Sequence, residues 1–105
     1  MQNNNKYNKF VIYKIYQNDD PNMLYIGSTI NFNRRKSQHK KNTLNRCSKH
    51  YKQPLYQYIR GLGGFDKFTM EKVEDYPCKT KQEGLKREKE LIDLYKAKLN
   101  IIKPI

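Results

Sequence analysis

Two runs of β-branched and aromatic residues stand on either side of the polar hexad 17–22 (QNDDPN): residues 10–16 (FVIYKIY) and residues 23–27 (MLYIG). Side chains of this kind fit a pleated, half-buried surface, and the hexad supplies turn chemistry, so the segment predicts an antiparallel β-hairpin. If the hairpin is symmetric about Asp19, Tyr13 lies opposite Tyr25, and cross-strand partners share a face with Cβ atoms ~5 Å apart. A one-residue slip would send the two phenols to opposite faces, which makes the register a definite expectation.

The rest of the chain supplies helices and one more strand. Asn31 is a predicted N-cap for a helix running to about Asn42, whose inward face by the i, i+3, i+7 rhythm is Phe32, Arg35 and His39. Only the first of these is apolar, so that face carries a guanidinium and an imidazole toward the interior. A second helix starts with Pro54 in its first turn, buries Leu55, Tyr58, Ile59 and Leu62, and stops at Gly61, Gly63 and Gly64. Residues 68–76 read as a third strand ended by Pro77. The last helix is expected over about 80–98, with Leu85, Ile92, Tyr95 and Leu99 in an apolar stripe interrupted by Glu88. A carboxylate in such a stripe needs a partner, because burying it unpaired is costly. At 105 residues the chain makes one domain, with residues 1–9 a frayed polar terminus and 10–105 folded.

Charge narrows the function. The formal net charge is +12, and it is concentrated: from Pro21 to Phe65 there is no acidic residue, while Arg34, Arg35, Lys36, Lys40, Lys41, Arg46, Lys49, Lys52 and Arg60 all lie there. Threaded with Tyr51, Tyr56 and Tyr58, this stretch reads as a surface that tracks phosphates, with a solvated solubilising face as the alternative. A membrane-surface role fits poorly because the stretch lacks a strong apolar face. Cys47 and Cys78 stand 31 apart without a paired C-x-x-C or histidine motif, so zinc is not expected, and they read as reduced thiols of an intracellular protein.

The ordered set Val11-Ile12-Tyr13, Tyr25-Ile26-Gly27, Ser28-Thr29, Arg35 and His39 four apart, Glu88 and Asn100 resembles the GIY-YIG nuclease domain over roughly residues 10–102. That family includes homing endonucleases of mobile introns, the incision subunit of bacterial excision repair, structure-specific nucleases and some restriction enzymes. The resemblance implies an α/β mixture of the α+β kind: a small three-stranded antiparallel sheet flanked by about three helices. It implies Tyr13 and Tyr25 at an attacking water, Arg35 on the scissile phosphate, His39 in supporting hydrogen bonds, Glu88 on one Mg²⁺ or Mn²⁺ ion, and Asn100 at the site's edge or on phosphate. Val11 departs from the family's pattern, which has glycine there.

The residue types suit the implied chemistry. A phenol of reference pKa about 10 becomes a usable general base where cations favour its phenolate, and Tyr13 is the favoured one. Arginine offers phosphate a planar fork that Lys36 cannot reproduce. A single carboxylate suits Mg²⁺, which keeps several waters. The expected partner is DNA, most naturally double-stranded, held through its backbone by Arg34, Arg35, Lys36, Lys40, Lys41, Arg46, Lys49, His50, Lys52 and Asn100, with any targeting supplied by a domain or protein outside this chain. The competing readings are a catalytically inactive binding module of the same fold, a small basic RNA-binding protein whose motifs are accidental, tyrosines that serve only the strands, a Glu88 that pairs with a structural lysine such as Lys14, a surface His39, and an Asn100 that merely ends the last helix.

Overall fold

The computed structural model describes residues 5–101. Its sheet is built from β1 (Val11–Gln17), β2 (Asp20–Thr29) and β3 (Phe68–Asp75), all antiparallel, in the order β2-β1-β3. Three α-helices accompany it, α1 (Phe32–Leu44), α2 (Pro54–Gly61) and α3 (Lys81–Tyr95), together with short 3-10 turns at Lys6–Lys9, Phe65–Lys67 and Lys98–Asn100. The α+β class, three strands and three helices are those expected from the sequence. Among the described residues no helix is long and apolar enough to cross a membrane.

The first run forms the central strand because it is apolar on both faces. Tyr13 and Ile15 join Leu55, Tyr56 and Ile59 of α2 and Phe68 and Met70 of β3 in one cluster. On the opposite face Ile12, Leu24 and Ile26 pack with Leu91 of α3, Phe10 and Cys78. The chain is ordered ahead of Phe10: Asn5 caps the turn Lys6–Lys9 and its side chain donates to the Cys78 carbonyl. The expected fray therefore does not extend through residues 5–9, and residues 1–4 lie outside the described part.

The hairpin register differs from the symmetric one. Tyr13 pairs with Gly27 and Ile15 with Tyr25, after an irregularity between Tyr16 and Gln17 that leaves Pro21–Met23 unmatched. Pro21 has no N–H for the ladder, so the strand buckles just past the turn. The ladder is displaced by two residues, an even number, so Tyr13 and Tyr25 still share a face. A second bulge, between Ile12 and Tyr13 against β3, lies beside the same tyrosine.

The helices depart from expectation in detail. α1 matches, with Asn31 accepting from the Arg34 N–H as its cap. In α2 the buried residues are Leu55, Tyr56 and Ile59, whereas Leu62 is 39% exposed and Tyr58 is half-buried. α3 starts with a Thr80/Glu83 capping box and ends at Tyr95, where Lys96 turns left-handed. It buries Gly84 and Leu91 rather than Leu85 and Tyr95, which are each about two-fifths exposed. Gly84 permits this docking: a Cβ there would run into the Phe10 ring. Alanine normally gains ~1 kcal/mol over glycine inside a helix, but overpacking a filled core costs ~1–3 kcal/mol. Because Phe10 is itself buried, Gly84→Ala is expected to lower the melting temperature; a rise on thermal denaturation would show that α3 does not pack as described.

Candidate active site

The shared face of the hairpin opens into a cleft of about 780 Å³ whose lining includes Tyr13, Tyr25, Arg35, His39 and Glu88. The chain thus brings together all five residues that the sequence nominates for chemistry. Tyr13 comes from the central strand and lies over the Gly27 backbone, where a Cβ would come within 2.5 Å of its Cζ and Oη. Phe32 of α1 packs edge-on against the Tyr13 ring, with centroids 6.2 Å apart, and so sets the rotation that carries Arg35 and His39 inward.

His39 is only 3% exposed, which settles its place as interior rather than surface. Its Nε2 lies 2.7 Å from the Tyr13 Oη and its Nδ1 lies 2.8 Å from the Tyr56 Oη. The Tyr25 ring stands edge-on to it at 6.1 Å between centroids. Burial and the Arg35 charge pull the imidazole down to about 4, so it is neutral near pH 7.

Both phenols are disfavoured as phenolates in the protein alone. Burial pushes Tyr13 far above the ordinary phenol value, Tyr25 beside it adds to the effect, and Arg35 opposes it. Tyr25 is pushed up to about 12 by burial and by the Glu88 charge, again against Arg35. Glu88, on α3, accepts a 2.5 Å hydrogen bond from Ser28 at the end of β2. Burial raises its carboxyl, while the Ser28 bond and Arg35 hold it back. Lys14 pairs instead with Glu71, its partner across β1 and β3, at 3.4 Å. Among the described residues Glu88 forms no salt bridge with a lysine.

Arg35 has one unusual feature: its Nε is buried and has no hydrogen-bond partner among the described residues. Buried donors are nearly always paired, so this Nε is an exception; the residue as a whole lines the cleft, and a planar guanidinium presents a fork of donors suited to phosphate oxygens.

The basic residues divide. Arg35, Lys41, Lys49 and His50 line the cleft, and Arg34 lines a smaller adjoining groove with Asn31 and Gln38. Lys40, Arg46 and Lys52 are exposed, Lys36 is half-exposed, and none of these four lines the cleft. Arg60 is structural: its guanidinium stacks 3.6 Å from the Tyr51 ring centroid and donates to the Thr43 and Tyr51 carbonyls, tying the 45–53 loop to α1. Tyr51, Tyr56 and Tyr58 accordingly form no open stacking platform. Asn100 neither ends α3 nor lines the cleft. Its carboxamide receives the Ile26 N–H at 2.7 Å and donates to the Ile26 carbonyl at 2.8 Å, closing the free edge of β2.

The cleft walls also carry Asn42 and Lys81, which the sequence reading does not single out, and Ser28 and Tyr56, which it names only within the motif set and the basic stretch. For Lys81 a signal existed: it precedes Glu88 by seven residues, so Lys81, Leu85 and Glu88 share one helix face. Val11 is 3% exposed and lines no part of the cleft, so the β-branched residue in place of the family's glycine does not narrow it.

A small α+β domain that gathers two phenols, a guanidinium and a carboxylate in one basic cleft has the layout of a nuclease. The chain belongs to the GIY-YIG family: residues 9–100 match its catalytic domain, nearly the whole length. The family is one of endonuclease-type nucleases that act on DNA and are generally metal-dependent. No curated protein and no solved structure matches the chain.

Proposed function

We propose that this protein is a metal-dependent endonuclease that hydrolyses phosphodiester bonds of double-stranded DNA. The observation that carries the reading is the convergence of Tyr13, Tyr25, Arg35 and Glu88 on the lining of one cleft. A module that only binds nucleic acid gains nothing from Glu88 there, since a carboxylate repels phosphate unless a cation lies between them.

Among the described residues no group of three or more His, Cys, Asp or Glu could hold a metal by itself. One half-buried carboxylate, oriented by Ser28, does fit Mg²⁺ or Mn²⁺, which binds through one or two carboxylates with water and substrate phosphate completing its shell. When bound there, such a cation supplies Lewis-acid stabilisation of charge on the phosphate. Arg35 binds the scissile phosphate and stabilises its developing charge through the fork. Tyr13 takes the proton of the attacking water, and Tyr25 orients that water from the neighbouring strand. Lys41, Lys49 and His50 hold flanking backbone, contacts that fix position without reading bases, so targeting would come from another domain or partner.

The pH dependence of DNA nicking tests the tyrosine. His39, at about 4, stays neutral from pH 6 to 9, while both phenols titrate above their ordinary value. The active phenolate fraction therefore increases with pH, and log kcat/KM is expected to climb by about one per pH unit across that window. A plateau reached by pH 7 would point to a different base.

A further inference from the structure

The hydrogen bonds behind Tyr13 form a chain with a direction. The Ser48 Oγ receives the backbone N–H of His50 at 3.2 Å and donates to the Asn42 Oδ1 at 2.7 Å. The Asn42 Nδ2 donates to the Tyr56 Oη at 3.2 Å, the Tyr56 Oη lies 2.8 Å from the His39 Nδ1, and the His39 Nε2 lies 2.7 Å from the Tyr13 Oη. Turning the Asn42 carboxamide round would deprive the Ser48 hydroxyl of its acceptor, so Asn42 presents a donor to Tyr56. The phenol of Tyr56 has one hydrogen. With its oxygen accepting from Asn42, that hydrogen goes to Nδ1 of the imidazole. A neutral imidazole protonates one nitrogen, and the remaining one is Nε2.

We propose that Asn42 and Tyr56 are positioning residues of the reaction: they hold His39 in the Nε2–H tautomer, so that the imidazole donates to the Tyr13 oxygen and leaves the phenol's own proton turned to the cleft. The catalytic part of this inference rests on the nuclease reading above. In this arrangement the phenolate formed when Tyr13 releases its proton meets an N–H already aimed at it, the preorganised form of electrostatic stabilisation. The other tautomer would draw the Tyr13 proton inward and offer the phenolate a lone pair.

The experiment is ¹⁵N imidazole spectroscopy of the labelled protein at pH 7, which reads the tautomer without DNA or metal, paired with nicking kinetics. Wild-type protein is expected to be protonated at Nε2 of His39. Asn42→Asp keeps the side chain's size but presents Tyr56 with an acceptor in place of a donor. It should reverse the chain and move the proton to Nδ1, lowering kcat by about 10²-fold with KM little changed. Tyr56→Phe removes a single oxygen, should leave a mixture of tautomers with an intermediate kcat, and serves where the aspartate variant does not fold. An Nδ1–H tautomer in the wild type, or variants that leave both tautomer and kcat unaltered, would overturn the proposal. So would a tautomer that inverts while kcat stays the same. A wild-type protein with the expected tautomer that cuts no DNA would overturn the nuclease reading instead, and the spectra keep the two failures apart.

Discussion

Arg35→Ala and Glu88→Gln are each expected to lower the rate of DNA cleavage by about 10²–10³-fold, the usual cost of removing one preorganised stabiliser of transition-state charge. The two losses differ in origin. Arg35 would meet the phosphate directly, and Arg35→Lys should not restore the rate, because an ammonium lacks the planar fork. Glu88→Gln keeps an oxygen to accept from Ser28, so the hydrogen bond seen here survives while the charge that holds a cation disappears. Neither change should unfold the protein. The Arg35 Nε is an unsatisfied buried donor, and its removal should leave the melting temperature equal to or above that of the wild type, since an unpaired buried polar group is a cost in the folded state. Melting curves beside single-turnover rates check both halves. Arg35→Ala protein that melts far below the wild type would show that the guanidinium is a structural anchor.

Gly27→Ala is expected to damage both activity and stability, although alanine is a mild substitution in a strand. The backbone at Gly27 is not among the positive-φ positions, which among glycines are Gly63 and Gly64, so conformation is no obstacle. The obstacle is space: the new Cβ would sit 2.5 Å from Tyr13 Cζ and Oη. Tyr13 is 2% exposed and held by His39 on its far side, so the ring cannot swing away without breaking that bond. Overpacking of this kind costs ~1–3 kcal/mol, and displacing a reacting group by ~1 Å costs about 10²-fold in rate. Thermal denaturation and nicking kinetics measure the two effects. A Gly27→Ala protein with wild-type rate would remove Tyr13 from the chemistry. In this fold, then, the glycine after Tyr25-Ile26 makes room for the tyrosine of the opposite strand.

What could be read from the sequence follows from which signals survive small geometric errors. Tyr13 and Tyr25 share a face in the symmetric register and in the observed one alike, because alternation has period two and the two ladders differ by two residues. The displacement itself depends on Pro21 and the unmatched residues after it, which a symmetric hairpin ignores. The inward Phe32, Arg35 and His39 were legible because helical spacing requires them to share a face. Tyr56 was not: Leu55 and Ile59 define the buried line of α2, and Tyr56 and Tyr58 flank it from opposite sides. Apolar periodicity does not distinguish a tyrosine buried for its hydroxyl from one buried for its ring. Asn100 was given to the site by resemblance, yet its carboxamide pairs with the Ile26 backbone, a role only the tertiary structure shows. Leu85 read as core because it fits the stripe with Glu88; it fits because both face the cleft.

Whether this cleft cuts DNA is decided by incubating supercoiled plasmid with the purified protein, with and without Mg²⁺, beside Arg35→Ala and Glu88→Gln. Nicking by the wild type should require the cation, stop on chelation, and fall by about 10²-fold or more in both variants. Equal nicking by all three proteins, or salt-sensitive DNA binding with no cleavage under any cation, would contradict the nuclease reading.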